Sequence, residues 1–451
     1  MKPLQKNLMH IAAFTLVLVM MLISLPAPDG TLAQGGQDMG VELNADVSGD
    51  VEFWHFWGSP VRRTAVRRIV AMCEQALPNI NVEEVFKPFG DIWTANIAAV
   101  AAGSGMPDVI VEDRPQLPRI AADGIEQNLQ PLIEQDGFDS ARFWPFTWEQ
   151  TLYEGESYGI PFETDVRVLF YNKTLFEQAG LDPDDPPETW EELWAYADQL
   201  DRQNEDGSYD RIAFFPLIGN VGPDLWAQTN GHIWVQDGRP VLDDPAVAET
   251  LDWIRQWIER YGGWEAIQEF RAQFAAPPND HFMSGKVAMF VDIGGYNSIL
   301  SFYRPSVTLD DGSQTGIQWG AAPIPYNVQP SSVSGGFALS IPTGAENPEA
   351  AWEFIKCATS PAAQVSWARD TYAMPSDQQA AQDPILMADP VWEFFVQAME
   401  TSTSGEFVSG YSNWKEQLDQ RYDAVWQGDT DPAEALQDAQ AAVDETIEAN
   451  Q

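Results

Sequence analysis

The feature that most constrains this chain is its alternation of short β-prone runs with amphipathic helical stretches, joined by brief turns. Val51 to Trp57 is aromatic and β-prone and stops at Gly58, after which Ser59 and Pro60 suit a helix N-cap and first helical residue. Ala65, Ile69, Met72 and Ala76 then recur at helical spacing and form one apolar stripe. Asn79 to Phe86 predicts a second strand, Trp93 to Ala102 a helix ended by Gly103, and Asp108 to Val111 a short buried strand. Strand, helix and strand with such short links imply parallel pairing, so the expected class is α/β. A second block opens near Gly159, with a strand over Val166 to Tyr171. Thr189 and Glu192 then form a capping box for a helix whose apolar face is Leu193, Tyr196, Ala197 and Leu200. Val287 to Val291 predicts another strand. Phe337 to Ile341 starts a third block, with a helix from Asn347 and Pro348, and Leu436, Ala439, Val443 and Ile447 mark a closing amphipathic helix.

At 451 residues the chain exceeds what one core usually takes, so two lobes are expected. Against 24 Lys and Arg stand 68 Asp and Glu, a net charge of -44 that repels nucleic acid and anionic lipid. A solvated skin explains the acidity, and adaptation to high salt is the sharper alternative. Lys2 and Lys6 precede an apolar run, Ile11 to Leu25, shorter than the roughly 20 residues of a membrane span. Thr31-Leu32-Ala33 fits a cleavage site. Residues 1–33 therefore read as a secretory signal, with an uncleaved anchor as the alternative, and the Gly- and Asp-rich residues 34–50 as a disordered leader. Cys73 and Cys357, the only cysteines, either bridge two helices or are simply buried. His55, His232 and His281 are the only histidines beyond the signal, too little material for a His- or Cys-based metal site, and no cofactor is expected. No nucleophile elbow or H-E-x-x-H motif occurs, and so many carboxylates nominate no acid–base pair by proximity, so no catalytic residue is expected.

In open α/β sheets ligands sit beyond the carboxyl ends of the strands. That location holds Phe56, Trp57, Gly58 and Ser59 after the first strand, and Glu112, Asp113 and Arg114 after the third. A sugar stacks its C–H faces on aromatic rings and directs its hydroxyls at polar partners, and these two groups offer both. Core packing is the competing account of Trp57, and an ordinary surface loop that of Glu112 to Arg114. Among 18 tryptophans, Trp190, Trp194, Trp253, Trp257 and Trp352 lie on amphipathic helices and are assigned to packing or helix surfaces. Trp226 near Asn230-Gly231, Trp414 after Tyr411-Ser412-Asn413, and Tyr296 after Gly294-Gly295 are cleft candidates.

Several segments together resemble one family, the extracellular solute-binding proteins of ABC transporters, family 1, which are sugar-binding and maltose-binding-protein-like. The most specific is Tyr158-Gly159-Ile160-Pro161-Phe162, running through Leu169-Phe170-Tyr171-Asn172-Lys173 to Ala179-Gly180-Leu181 and Pro187-Glu188-Thr189-Trp190. Ala98 to Val109, Phe282 to Met289 and Gly335-Gly336-Phe337 through Ile355 are similar to it as well. The resemblance implies a periplasmic-binding-protein-like type II fold, two α/β lobes joined by hinge strands with the ligand in the cleft between them. It implies an N-lobe of 51–162 plus 320–374 and a C-lobe of 163–319 plus 375–451. Carried over by position, the cleft contacts fall on Trp57, Gly58, Glu112, Asp113, Asp165, Trp226, Tyr296, Gly335 and Trp414. The function implied is the substrate-binding component of an ABC transporter, exported to the periplasmic or extracellular face of the membrane. It would act as a monomer that binds a sugar or oligosaccharide and delivers it to the permease. Two alternatives are the same fold binding a phosphorylated polyol, for which Arg62, Arg63, Arg114 or Arg167 would supply charge, and a secreted carbohydrate-active enzyme.

Overall fold

A computed structural model describes residues 38–309, 311–404 and 414–449. The secretory signal expected at 1–33 lies outside these residues, as do Tyr411 to Asn413. In chain order the first elements are β1 (Gly49–His55), α1 (Pro60–Ala76), β2 (Ile80–Phe86), α2 (Asp91–Ala102) and β3 (Val109–Asp113). β4 (Ile160–Thr164) and β5 (Arg167–Asn172) are separated by only Asp165 and Val166. Next come α3 (Trp190–Leu200), α4 (Pro223–Thr229), α5 (Pro245–Arg260), β6 (Met289–Ile293), α6 (Tyr296–Tyr303) and β7 (Trp319–Ala322). The chain ends with β8 (Ser332–Ser334), β9 (Gly336–Ser340), α7 (Pro348–Ala358), α8 (Pro361–Thr371), β10 (Met374–Pro375), α9 (Pro390–Met399), β11 (Ser402–Ser404), α10 (Trp414–Gln427) and α11 (Pro432–Ala449).

Within the unit Gln37–Gln451 the long strands form two sheets. One has six strands in the order β10-β4-β9-β3-β1-β2; β1 runs parallel to β2 and β3, as the strand–helix–strand rhythm predicts, while β9 is antiparallel to β3 and β4. The other has three antiparallel strands, β6-β5-β7. Each sheet has its own core. Val51, Phe53, Ile69, Val111, Phe354 and Trp367 belong to the first, and Phe170, Trp190, Trp226, Trp257, Phe290 and Trp392 to the second. Ser59 caps α1 through its hydroxyl, and Thr189 with Glu192 forms the reciprocal capping box at α3. Asn347 stands at the N-cap of α7 without capping through its side chain.

Packing and pairing bear on three of the expectations. Residues 38–48 pack on the first core rather than forming a disordered leader: Met39 is buried and its carbonyl accepts from Ala362, and Val41, Leu43 and Val47 pack beside it. Their apolar side chains are scattered through Gly, Asp and Asn, so composition hides them. Cys73 on α1 and Cys357 on α7 form a disulfide, resolving the two readings in favour of a bridge. The passages between sheets lie slightly later than the expected limits of 162 and 320. Glu163 and Thr164 still pair with β9 of the six-stranded sheet, and Trp319 to Ala322 pair with β5 of the other.

Candidate functional site

The carboxyl ends of β1 and β3, the start of β9 and the end of β4 share one edge of the six-stranded sheet, because β9 runs antiparallel to both β3 and β4, which leaves β4 in the same direction as β3 and β1. Pleating decides what each residue on that edge can do. Along β1, Val51, Phe53 and Trp57 share one face, and Trp57 is only 2% exposed, packed on Phe162 and Trp367 at ring separations of 5.3 and 4.6 Å. Phe56 turns the other way. It meets Phe337 at 4.7 Å, Phe89 at 5.1 Å and Trp93 at 5.8 Å, and Phe89 is 66% exposed. The aromatic surface at this edge is therefore Phe56, Phe89, Trp93 and Phe337, not Trp57. Gly58 is exposed at the turn into α1, with the Phe86 ring against it.

The same alternation separates Glu112 from Asp113. Glu112 points under α2 and is buried with Glu126 and Asn96, whose amide donates to Glu126 at 2.7 Å. Burial, and then the charge of Glu126, holds the Glu112 carboxyl well above its ordinary range. It is an internal group and not a wall of the cleft. Asp113 remains partly accessible, and burial pushes its carboxyl up to about 6 despite the neighbouring Arg114.

At the passage between sheets, Asp165 accepts from the Gly335 N–H at 3.0 Å and from Arg167 at 2.7 Å. Gly336, next along, has φ +123°, and a Cβ there would lie 2.2 Å from the Glu163 carbonyl, so only glycine lets β9 close on β4 here. Arg167 faces a cavity of about 690 Å³, lined also by Gly219 to Gly222, Asp224, His281, Asp292 and Val333. Gly219 has φ +106° and sits so close to the Val291 carbonyl that any Cβ would collide with it. This holds the loop before α4 against β6 and presents Asn220 to Arg167. Asp292, at the end of β6, is pushed up to about 6 by burial. His281 is lowered to about 4 by burial, so it is neutral at pH 7, and its Nε2 has no hydrogen-bond partner among the described residues.

Three aromatic cleft candidates lie in the second core instead. Trp226 is fully buried, enclosed by Trp190, Trp253 and Phe214, and its indole donates to the Pro216 carbonyl at 2.7 Å. Tyr296 is buried against Phe170 and Phe290 and donates its hydroxyl to Asp280 at 2.8 Å. Trp414 is buried against Trp234. None of these rings has a free face. The packing tryptophans behave as assigned, with Trp190 stacked on Trp253 at 4.0 Å. Sequence reasoning placed Phe56 at the end of the first strand but missed Asn220, Asp292 and the rings Phe89, Trp93 and Phe337 around it. For Asp292 the available signal was its place at a strand end.

The four arginines suggested for an anion are each engaged. Arg62 bridges to Glu163, Arg63 lies over the Phe86 ring, Arg167 holds Asp165, and Arg114 is wholly buried among protein acceptors. The edge of the six-stranded sheet thus carries Asp113 and a ring surface, Asp165 stands at the passage between sheets, and Asp292, Asn220 and the Arg167 guanidinium line the cavity beside the other sheet.

The chain as a whole is similar to proteins already known. A profile of bacterial extracellular solute-binding proteins matches residues 68–393. A maltotriose-binding protein from Pyrococcus abyssi is 25% identical over 371 residues, covering 78% of this chain and 72% of the relative. The sn-glycerol-3-phosphate-binding periplasmic protein UgpB of Yersinia pestis is 30% identical, but over only 34% of this chain and 35% of its own length. Among solved structures, CpMnBP1 with mannotriose bound superposes with a TM-score of 0.74 at 27% identity, covering 87% of this chain and 99% of that one.

Proposed function

The chain belongs to the bacterial extracellular solute-binding protein family, and on that premise we propose that it binds a neutral oligosaccharide between its two lobes and hands it to an ABC-transporter permease. It is exported and performs no chemistry on the sugar. One lobe comprises residues 38–164 with 336–375, and the other 167–322 with the segments after 376. The observation that carries the reading is the polar and aromatic composition of the six-stranded sheet's edge taken with that of the cavity beside the other sheet. Asp113, Asp165 and Asp292 are acceptors for hydroxyl groups, Asn220 and Arg167 can donate, and Phe56, Phe89, Trp93 and Phe337 offer ring faces for the apolar side of a pyranose. A phosphorylated polyol is disfavoured there, because Arg167 already carries Asp165 and two further carboxylates face the same region. Closure follows if the sugar binds the closed arrangement more tightly than the open one. Titration calorimetry against manno- and malto-oligosaccharides, with glycerol 3-phosphate beside them, tests the assignment. Heat of binding with a trisaccharide and none with the phosphate is expected; the reverse would reject it.

A further inference from the structure

Arg114 is where the sequence placed an anion ligand, yet its side chain is 0% exposed and points into the waist. Its Nε donates to Gln150 at 2.7 Å. One terminal nitrogen reaches the Glu163 carbonyl and the Ser376 hydroxyl, each at 3.4 Å. The other reaches the Thr164 hydroxyl at 3.1 Å, the Ser334 hydroxyl at 3.2 Å and the Gly335 carbonyl. These acceptors sit on all three passages between the sheets: the end of β4, the β8–β9 link, and the segment after β10. Gln150 adds a bond to the Ser334 carbonyl at 3.2 Å.

A second guanidinium stands on the other side. Arg167, the first residue of β5, donates to Asp165 and to the Val333 carbonyl, both at 2.7 Å, and its backbone exchanges bonds with the Ser332 hydroxyl. The Gly335 peptide lies between the two arginines. Its carbonyl accepts from Arg114 and its N–H donates to Asp165, which Arg167 holds.

We infer that Arg114 and Arg167 are paired clasps on either side of the Gly335 peptide, with Arg114 as the positioning residue that ties all three passages to the six-stranded sheet and so limits how far they move. A buried guanidinium suits this role, because its planar fork gives several directed bonds at once, and losing it strands several buried acceptors. Lysine offers a single point and cannot span three segments. The inference rests on the reading that the lobes move, but its hydrogen-exchange test needs no ligand.

Hydrogen exchange of the ligand-free protein, compared between wild type, Arg114→Lys and Ser376→Ala, reads it directly. In Arg114→Lys, amides in all three passages should exchange at least about tenfold faster, as expected for one charged hydrogen bond lost per segment, while α5 in the second core is unchanged. Ser376→Ala should accelerate only the segment after β10. Gly335→Ala supplies an independent arm that keeps the fold. A Cβ there would sit 3.1 Å from an Asp165 oxygen, so small-angle scattering should show a narrower size change on adding a bound sugar. Exchange that rises only near residue 114, or equally throughout the first core, would overturn the clasp, as would an unaltered size change in Gly335→Ala. If no sugar bound the wild type, the transport reading would fall while the exchange result still decided the clasp.

Discussion

The half built on the six-stranded sheet is held by parallel pairing and by the Cys73–Cys357 bridge, which ties α1 to α7 across 284 residues of sequence. The half built on the three-stranded sheet lacks any disulfide among the described residues and rests on a tryptophan-rich core, in which Trp190, Trp226, Trp253 and Trp257 pack together. Their contributions to the proposed site differ in the same sense. The first half presents its ring surface and Asp113 from a sheet edge, whereas the second presents Asn220 and Asp292 around a cavity. Aromatic residues in this chain therefore serve two purposes, packing in both halves and, in the first, a partly exposed rim as well.

Four changes would break or sharpen that contrast. Trp226→Ala should cost about 3–5 kcal/mol, since it empties a closed ring cluster and strands the Pro216 carbonyl. Calorimetric melting should show the loss in the second half, and a direct weakening of sugar contacts without instability would return Trp226 to the cleft. Replacing both cysteines by alanine should cost about 2–5 kcal/mol, because the bridge closes a very long loop of the unfolded chain. That loss should appear in the first half's transition and leave the second untouched.

The third change is in pH. Asp113 from one half and Asp292 from the other both sit near 6, burial being the main cause. Protonation below 6 removes two charged acceptors, so sugar affinity should fall about tenfold between pH 7.5 and 5, corresponding to little more than one kcal/mol. Asn replacements at both positions should flatten the profile. The effect on stability has the opposite sign. These groups hold protons more tightly folded than unfolded, so their ionisation disfavours folding as pH rises through 6, and that term is absent below 3.8. Smallest is Phe89→Ala, which removes an exposed ring. It should weaken binding by about 1 kcal/mol with almost no shift in melting temperature.

Much of the fold was legible. The caps at Ser59 and Thr189, the strand–helix rhythm before Asp113 and the helical assignment of Trp253 and Trp257 follow from local chemistry, which the structure keeps. The site was less so. Trp57 and Phe56 are adjacent, and a strand sends adjacent side chains to opposite faces, so a choice between neighbours needs knowledge of which face is covered. Trp226 lies near Asn and Gly, which suggested a loop, but α4 carries it inward. Asp292 follows a strand legible in the sequence, but only the pairing of β6 with β5 sets it apart among 68 acidic residues. Arg114 looked like a ligand group because the sequence shows its charge and not the acceptors brought from distant segments.

Small-angle scattering of the protein with and without a manno- or maltotrioside tests the central claim most directly. The account predicts a smaller radius of gyration when the trisaccharide is added and no change with glycerol 3-phosphate. Identical curves under every neutral sugar, or compaction by the phosphate alone, would contradict it.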